Sequence, residues 1–303
     1  MKKSCIFCDE IVVDNKFFYR DRHDLAERFK NILDISLKIF TCENCQFSYC
    51  PDVSKKDLDK FYAEFYINKI ERDQNRFVEF NSRFFTQVNY YINHCKLNKG
   101  LRILEVGPNQ QGILPSIKIF QNKVTYFYYD QIDINSKHDD VHKLGSYYWD
   151  PHKDKLPEID LIWMSHSLEH IHPLDLDQTI KSFYNALAKS GRIFIEIPND
   201  IANLEFLLPH VLFFKKEGLI KLFQNHGFKV VAISSINEKN DTIEKNKPTK
   251  ISDENNNSSF FLKTYLFIQK FLPDRLVKKF AFSHFVKNGP YTSLPIIRMI
   301  VEK

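Results

Sequence analysis

Residues 101–130 constrain the fold more than any other stretch of this 303-residue chain. A short apolar run with Ile103, Leu104 and Val106 enters the turn Gly107-Pro-Asn-Gln-Gln-Gly112, and a helix-compatible segment follows. An aromatic, strand-like run then ends at Asp130. That order makes the first β-α-β unit of a nucleotide-binding crevice. The turn lets the backbone approach a ligand, and an acid at the tip of the next strand accepts ribose hydroxyls. Glycine is scarce, 8 in the whole chain, so two in one turn carry weight.

The alternation continues downstream. Strand-like runs fall at 101–106, 124–129, 159–164, 191–197, 228–236 and 295–302, with helical segments near 112–120, 174–189 and 215–226. Alternation of this kind predicts a parallel sheet covered on both faces.

Upstream, the cysteines come in two pairs, Cys5-x2-Cys8 and Cys42-x2-Cys45. Two such knuckles present four thiolates that close tetrahedrally on Zn²⁺; with no open position the ion is structural. Reduced, partly buried thiols are the alternative, with Cys50 a spare ligand and Cys95 a core residue. Six cysteines without an export signal argue against a disulfide framework, so the chain is read as cytosolic. No run of about 18 apolar residues is present to span a membrane. The net charge of +5 is mild and does not demand nucleic acid.

Residues 54–67 read as a helix with Ser54 as N-cap and Asp57 closing a variant capping box; Tyr62 and Tyr66 share one face. Residues 73–95 repeat apolar positions at helical spacing. Residues 237–258 are polar and mixed in charge and read as a flexible loop, whereas 260–287 are aromatic and basic, with six Lys/Arg against one acid, Asp274. The latter reads as a helical pair covering the main domain, or as a surface for a membrane or partner.

A dinucleotide needs close backbone approach by its pyrophosphate. A turn carrying Pro108, Asn109 and two glutamines suits a ligand without phosphates, and S-adenosylmethionine fits; an ordinary strand-turn-helix is the alternative. Three further segments follow in order: IDLIWMSHSLEHIHP (159–173), SGRIFIEIPND (190–200) and PHVLFFKKEGLIKLFQNHGFKVV (209–231). With ILEVGP and Asp130 they resemble class I S-adenosylmethionine-dependent methyltransferases. The Leu168-Glu169-His170 and Ile197-Pro198-Asn199 signatures resemble the branch met in sugar and polysaccharide biosynthesis. The paired cysteines followed by a Tyr-rich helix resemble the N-terminal zinc module of sugar C-methyltransferases. The resemblance covers residues 1–236 and the last strand.

It implies a doubly wound, mostly parallel seven-stranded sheet with a small zinc ribbon. The division would be 1–53 zinc module, 54–97 helical linker, and 98–303 methyltransferase domain with 237–290 inserted. It further implies that Gly107, Pro108, Asn109 and Gly112 contact the methionine moiety, with Glu105 near its amine. Asp130 would hold the ribose and Asp150 the adenine, with Asp140 its rival. Ser165 and His166 would border the sulfonium. The acceptor would be a sugar, nucleotide-linked sugar or glycan precursor, with no nucleic-acid partner. Where sugar C-methyltransferases carry a Glu-His pair, this chain has Pro209-His210, which points to O- or N-methylation. A hydroxyl acceptor needs a base, for which His210 is the first candidate and His166 the second; Tyr62 or Tyr66 would close the pocket. His166-x-x-Glu169-His170 also spells an inverted zincin motif, but its first His closes a strand. An RNA methyltransferase and a non-catalytic cofactor-binding protein are the rival functions.

Overall fold

The structure is a computed structural model that describes residues 4–15, 39–51, 53–60, 82–108, 112–129, 140–145, 150–199, 210–236 and 296–303. Asn109, Asp130, Tyr62, Tyr66 and residues 237–295 lie outside the described residues.

Seven strands form the main sheet: β4 (Leu101–Val106), β5 (Val124–Tyr129), β6 (Val141–Gly145), β7 (Ile159–Ser165), β8 (Leu187–Pro198), β10 (Lys229–Ile236) and β11 (Ile296–Glu302). Their order is β10-β11-β8-β7-β4-β5-β6. The pairs β7–β8, β7–β4, β4–β5 and β5–β6 are parallel, and β11 runs antiparallel between β8 and β10. From β4 the chain winds outward through β5 and β6, then restarts on the other side at β7. That reversal opens a crevice at the carboxyl ends of β4 and β7.

The inner strands are mostly apolar because helices cover both faces. On β7, Leu161 and Trp163 join the cluster of α1 (Ser82–His94) and α2 (Leu114–Lys118), with Val88, Tyr91 and Ile117. Ile162 and Met164, one residue out of phase, meet Ile180 and Phe183 of α3 (Leu176–Ala186) and Leu219 and Phe223 of α4 (Lys216–Asn225). Trp163 stacks on Phe194 of β8 with centroids 3.9 Å apart. Each such fully buried side chain contributes roughly 2–3 kcal/mol.

The strand runs read from the sequence match β4, β5, β7, β8, β10 and β11 closely. The helical reading of 174–189 overshoots, because Leu187 leaves α3 to pair with Ile159. The sequence reading picked out no strand at β6, where every residue is partly exposed and no alternation shows, nor in a second sheet, to which β9 (Leu212–Phe214) belongs.

That sheet has the order β1-β2-β3-β9, all antiparallel, with β1 (Val13–Asn15), β2 (Ile39–Cys42) and β3 (Phe47–Tyr49). Its apolar residues, including Phe40, Phe47 and Tyr49, share one continuous core with Leu212–Phe214, Leu219 and Phe223. Residues 55–60 are helical. Ser54 Oγ accepts from Asp57 N–H at 3.1 Å and Asp57 Oδ2 accepts from Ser54 N–H at 3.2 Å, the reciprocal bonds of a capping box.

Candidate functional site

Three structures meet at or near the carboxyl edge of the main sheet: the turn after β4, the turn after β7, and the cysteine module behind His210.

The β4 turn is built around a buried carboxylate. Glu105 Oε2 accepts from Ile113 N–H at 2.6 Å and from the Tyr126 hydroxyl, so it ties the strand end to the start of α2 and to β5. Gly107 N–H donates to Tyr129 carbonyl at 3.2 Å. Gly112 cannot be another residue without strain. Its φ is +33°, and an added Cβ would stand 3.0 Å from Tyr126 Oη and 3.4 Å from Glu105 Oε2. Pro108 is buried beside it, 3.7 Å from that same Cβ position. Gly112 thus has no room for a side chain against Tyr126 and Glu105, and a turn with so little bulk at its described ends, Gly107 and Gly112, fits S-adenosylmethionine.

The β7 turn abuts the first: a Cβ on Gly107 would lie 3.4 Å from Ser167 Cβ. Ser165 ends β7, and His166 follows in left-handed backbone with φ +54°. His166 sits between two buried carboxylates. Its Nδ1 is 3.4 Å from Glu169 Oε1, and its Nε2 is 3.4 Å from Glu196 Oε1 on β8. Leu168–His170 is a single 3-10 turn, so the His-x-x-Glu-His spelling is not the helical motif of a metalloprotease. His210 comes to the same place from far along the chain. Its Nε2 is 4.0 Å from Glu169 Oε1, and its ring stands edge-on to His170 with centroids 4.9 Å apart. Three imidazoles therefore surround one buried carboxylate beside the glycine turn.

Behind this cluster lies a network that sequence reading missed. Gln87 of α1 donates to Ser165 Oγ at 2.8 Å and to Glu196 Oε1 at 2.6 Å, and accepts from Trp163 Nε1 at 3.3 Å. Arg298 Nε donates to Glu196 Oε2 at 2.6 Å, the two residues being cross-strand partners on β11 and β8. Each interrupts an otherwise apolar buried run, and such residues are kept inside only with partners. A lone Glu in FIEIP and a lone Arg in IIRMI were the signal.

The adenine candidates separate. Asp140 precedes β6, at the amino edge of the parallel sheet, opposite the crevice, and its carbonyl accepts from Tyr126 N–H. The structure therefore sets Asp140 aside. Asp150 closes its own turn, accepting from His152 N–H at 3.0 Å and pairing with Lys153 at 3.1 Å. Those two interactions hold its carboxyl below the usual range.

The four paired cysteines converge. Cys5 Sγ–Cys45 Sγ is 3.8 Å, Cys8 Sγ–Cys42 Sγ is 3.5 Å, and all four lie within 4.8 Å of one another. Zinc–sulfur bonds of about 2.3 Å in a tetrahedron place sulfurs ~3.8 Å apart, so this donor set fits the ion. No disulfide joins any cysteine, and Cys50 is not one of the converging four. The two knuckles repeat one geometry: the residue after each second cysteine, Asp9 and Gln46, has φ near +59° and +58°. Burial pushes the Cys5 thiol up to about 11 and also raises Cys45. At Cys8 burial acts the same way, but hydrogen bonds from Glu10 N–H and from the Cys45, Asn44 and Cys42 side chains outweigh it and lower the thiol to about 7.

A family profile described as a methyltransferase domain matches residues 69–233. No curated protein sequence matches the chain. Among solved structures, the 1,6-didemethyltoxoflavin N1-methyltransferase of Burkholderia thailandensis, with S-adenosylhomocysteine bound, is 10% identical over 89% of this chain and 97% of its own, with a TM-score of 0.50. A SAM-dependent methyltransferase from Archaeoglobus fulgidus is 16% identical over 79% of this chain and 100% of its own, with a TM-score of 0.45. The phosphoethanolamine N-methyltransferase 2 of Haemonchus contortus is 13% identical over 84% of this chain and 62% of its own, with a TM-score of 0.48. At such identities the likeness is one of fold. The strand order, the reversed β11, the glycine turn and a profile match over more than half the residues agree: this chain belongs to the methyltransferase-domain family, as an S-adenosylmethionine-dependent enzyme of Rossmann-like fold.

Proposed function

We propose that the chain transfers the methyl group of S-adenosylmethionine to a hydroxyl, or an amine, of a sugar, nucleotide-linked sugar or glycan precursor. The observation that carries this reading is the gathering of His166, His170 and His210 around Glu169 beside the glycine turn. The Leu-Glu-His and Ile-Pro-Asn segments support the acceptor class through their resemblance to sugar and polysaccharide methyltransferases.

The turn Gly107–Gly112 would hold the methionine moiety, Asp130 the ribose hydroxyls and Asp150 the adenine. When bound, the cofactor supplies a methyl group already activated on sulfur. The protein's work is then to align the acceptor and exclude water. His210 takes the acceptor's proton on its imidazole, and the Glu169 carboxylate nearby stabilises the cation that forms. His166 would border the sulfonium, and Tyr66 would close the pocket. Cys5, Cys8, Cys42 and Cys45, the only group of four thiols the described residues bring together, would hold one structural Zn²⁺.

Calorimetry on wild type and Asp130→Ala tests the cofactor site. The variant should bind S-adenosylmethionine at least tenfold more weakly, and equal affinity in both would remove the reading. Transfer of labelled methyl to a panel of nucleotide-linked sugars tests the acceptor; transfer to RNA alone, steeply dependent on salt, would replace it. Metal analysis should give one zinc per chain, lost in Cys42→Ser.

A further inference from the structure

Among the described residues, the cysteine module is bedded on the methyltransferase domain at a place that adjoins His210. The second knuckle lies on the start of α4. A Cβ on Gly218 would stand 2.2 Å from Gln46 carbonyl oxygen and 2.7 Å from that of Cys45, so helix and knuckle are in backbone contact. Lys215 N–H donates to Gln46 carbonyl at 3.2 Å, and Lys221 Nζ donates to Asn44 carbonyl and Oδ1, both at 2.9 Å.

From the knuckle the connection runs through β3 to β9, pairing Phe47, Ser48 and Tyr49 with Phe214, Phe213 and Leu212. Phe47 and Phe214 rings are 5.6 Å apart. Cys50 N–H donates to Val211 carbonyl at 3.0 Å, which carries the ladder one step further. Val211 N–H in turn donates to Glu169 carbonyl at 2.9 Å. One residue, Val211, thus joins the module's sheet on one side to the Leu-Glu-His turn on the other, and His210 is its neighbour in the chain.

A strand of three residues does not hold its conformation without a partner. Among the described residues the ladder partner of β9 is β3 alone. The short strands β2 and β3 are joined by the knuckle that carries Cys42 and Cys45. We propose that the metal-loaded cysteine module is a positioning part of the acceptor site: by clamping β9 it fixes His210 against Glu169 and His170. This rests on the zinc reading above. It goes beyond that reading by giving a structural ion a task in catalysis, carried out through Val211 and β9, with no contact between metal and substrate. The positioning residues are Phe47, Cys50 and Val211.

The test uses the full-length protein, with zinc removed by a chelator and then restored. Backbone amide exchange over 210–214 and ¹⁵N imidazole spectra of His210, assigned with His210→Gln, are the readouts. Metal removal should cut protection of 210–214 at least tenfold and move the His210 signals, while those of His226, held by Asp177 at 2.9 Å, stay in place. Adding zinc back should restore both. Unchanged protection and unchanged His210 signals in the stripped protein would overturn the proposal. Phe47→Ala keeps all four thiols and removes the ring against Phe214. It should loosen 210–214 with one zinc still bound, and wild-type protection there would also overturn the proposal. A chain that binds no zinc at all fails the zinc reading instead, a result seen separately by metal analysis.

Discussion

Gly218→Ala sets two opposing effects against each other. Gly218 lies inside α4, where alanine is intrinsically preferred by about 1 kcal/mol. Propensity alone therefore predicts a more stable variant. The packing predicts the reverse. The new methyl would meet Gln46 carbonyl oxygen at 2.2 Å, Gln46 carbonyl carbon at 2.7 Å and Cys45 carbonyl oxygen at 2.7 Å. Ordinary contact needs about 1 Å more, and the obstructing atoms are backbone held by β3 and by bonds from Lys215 and Lys221, so no side-chain rotation relieves the clash. Overpacking of this kind costs about 3 kcal/mol, toward the top of its usual range because the neighbours are rigid. The net is about 2 kcal/mol of destabilisation, or a fall in melting temperature of roughly 3 °C for a protein of this size. Thermal unfolding by circular dichroism, with zinc added to the buffer, measures it. A variant that melts above wild type would show that helix propensity outweighs the contact, and would refute the backbone docking of knuckle on helix.

Three further outcomes follow from the same geometry. Arg102 donates from Nε and NH2 to Asp160 at 2.9 and 2.7 Å and thereby lowers the Asp160 pKa, so this pair stabilises the fold above the unfolded carboxylate's pKa and stops doing so as pH falls through the folded one. Arg102→Ala should cost about 1 kcal/mol near pH 7, the guanidinium being partly exposed, and denaturant titrations should show the gap to wild type closing below about pH 4. Gly112→Ala puts a methyl 3.0 Å from Tyr126 Oη in left-handed backbone; calorimetry should show S-adenosylmethionine binding weakened at least tenfold, with the sheet intact by circular dichroism. Arg298→Met removes the cation paired with the buried Glu196 carboxylate, leaving Gln87 as a donor, and should cost about 3 kcal/mol in urea unfolding, most of it recovered in the double variant with Glu196→Gln.

The central strands are legible because apolar residues dominate their buried stretches, a pattern that burial on both faces imposes on β4, β7 and β8. β6 is not legible, since a half-exposed edge strand needs no such pattern. β9 is hidden for another reason: Leu212–Phe214 becomes a strand only because Phe47–Tyr49, distant in sequence, offers it a ladder. The site divides in the same way. Gly107, Gly112 and the cysteine pairs announce themselves by residue type and spacing, since a left-handed turn and a cluster of four thiols tolerate few alternatives. Gln87 and Arg298 do not, because their importance comes from Glu196, which only the folded sheet brings to them.

The end of β10 and the start of β11 hold a further consequence. Ile236 and Ile296 are cross-strand partners, and Ile296 also faces Pro198. The chain thus departs from the crevice edge and returns to it across a single rung, with partner Cα atoms about 5 Å apart. Everything between is, in topological terms, a hairpin loop. Closure entropy rises only logarithmically, about 0.6 kcal/mol for each doubling of loop length. The sheet is therefore nearly indifferent to how much chain is spliced in at this rung. The connection can therefore lengthen, shorten or change character while β10 and β11 keep their register, so variation between Ile236 and Ile296 costs the fold little.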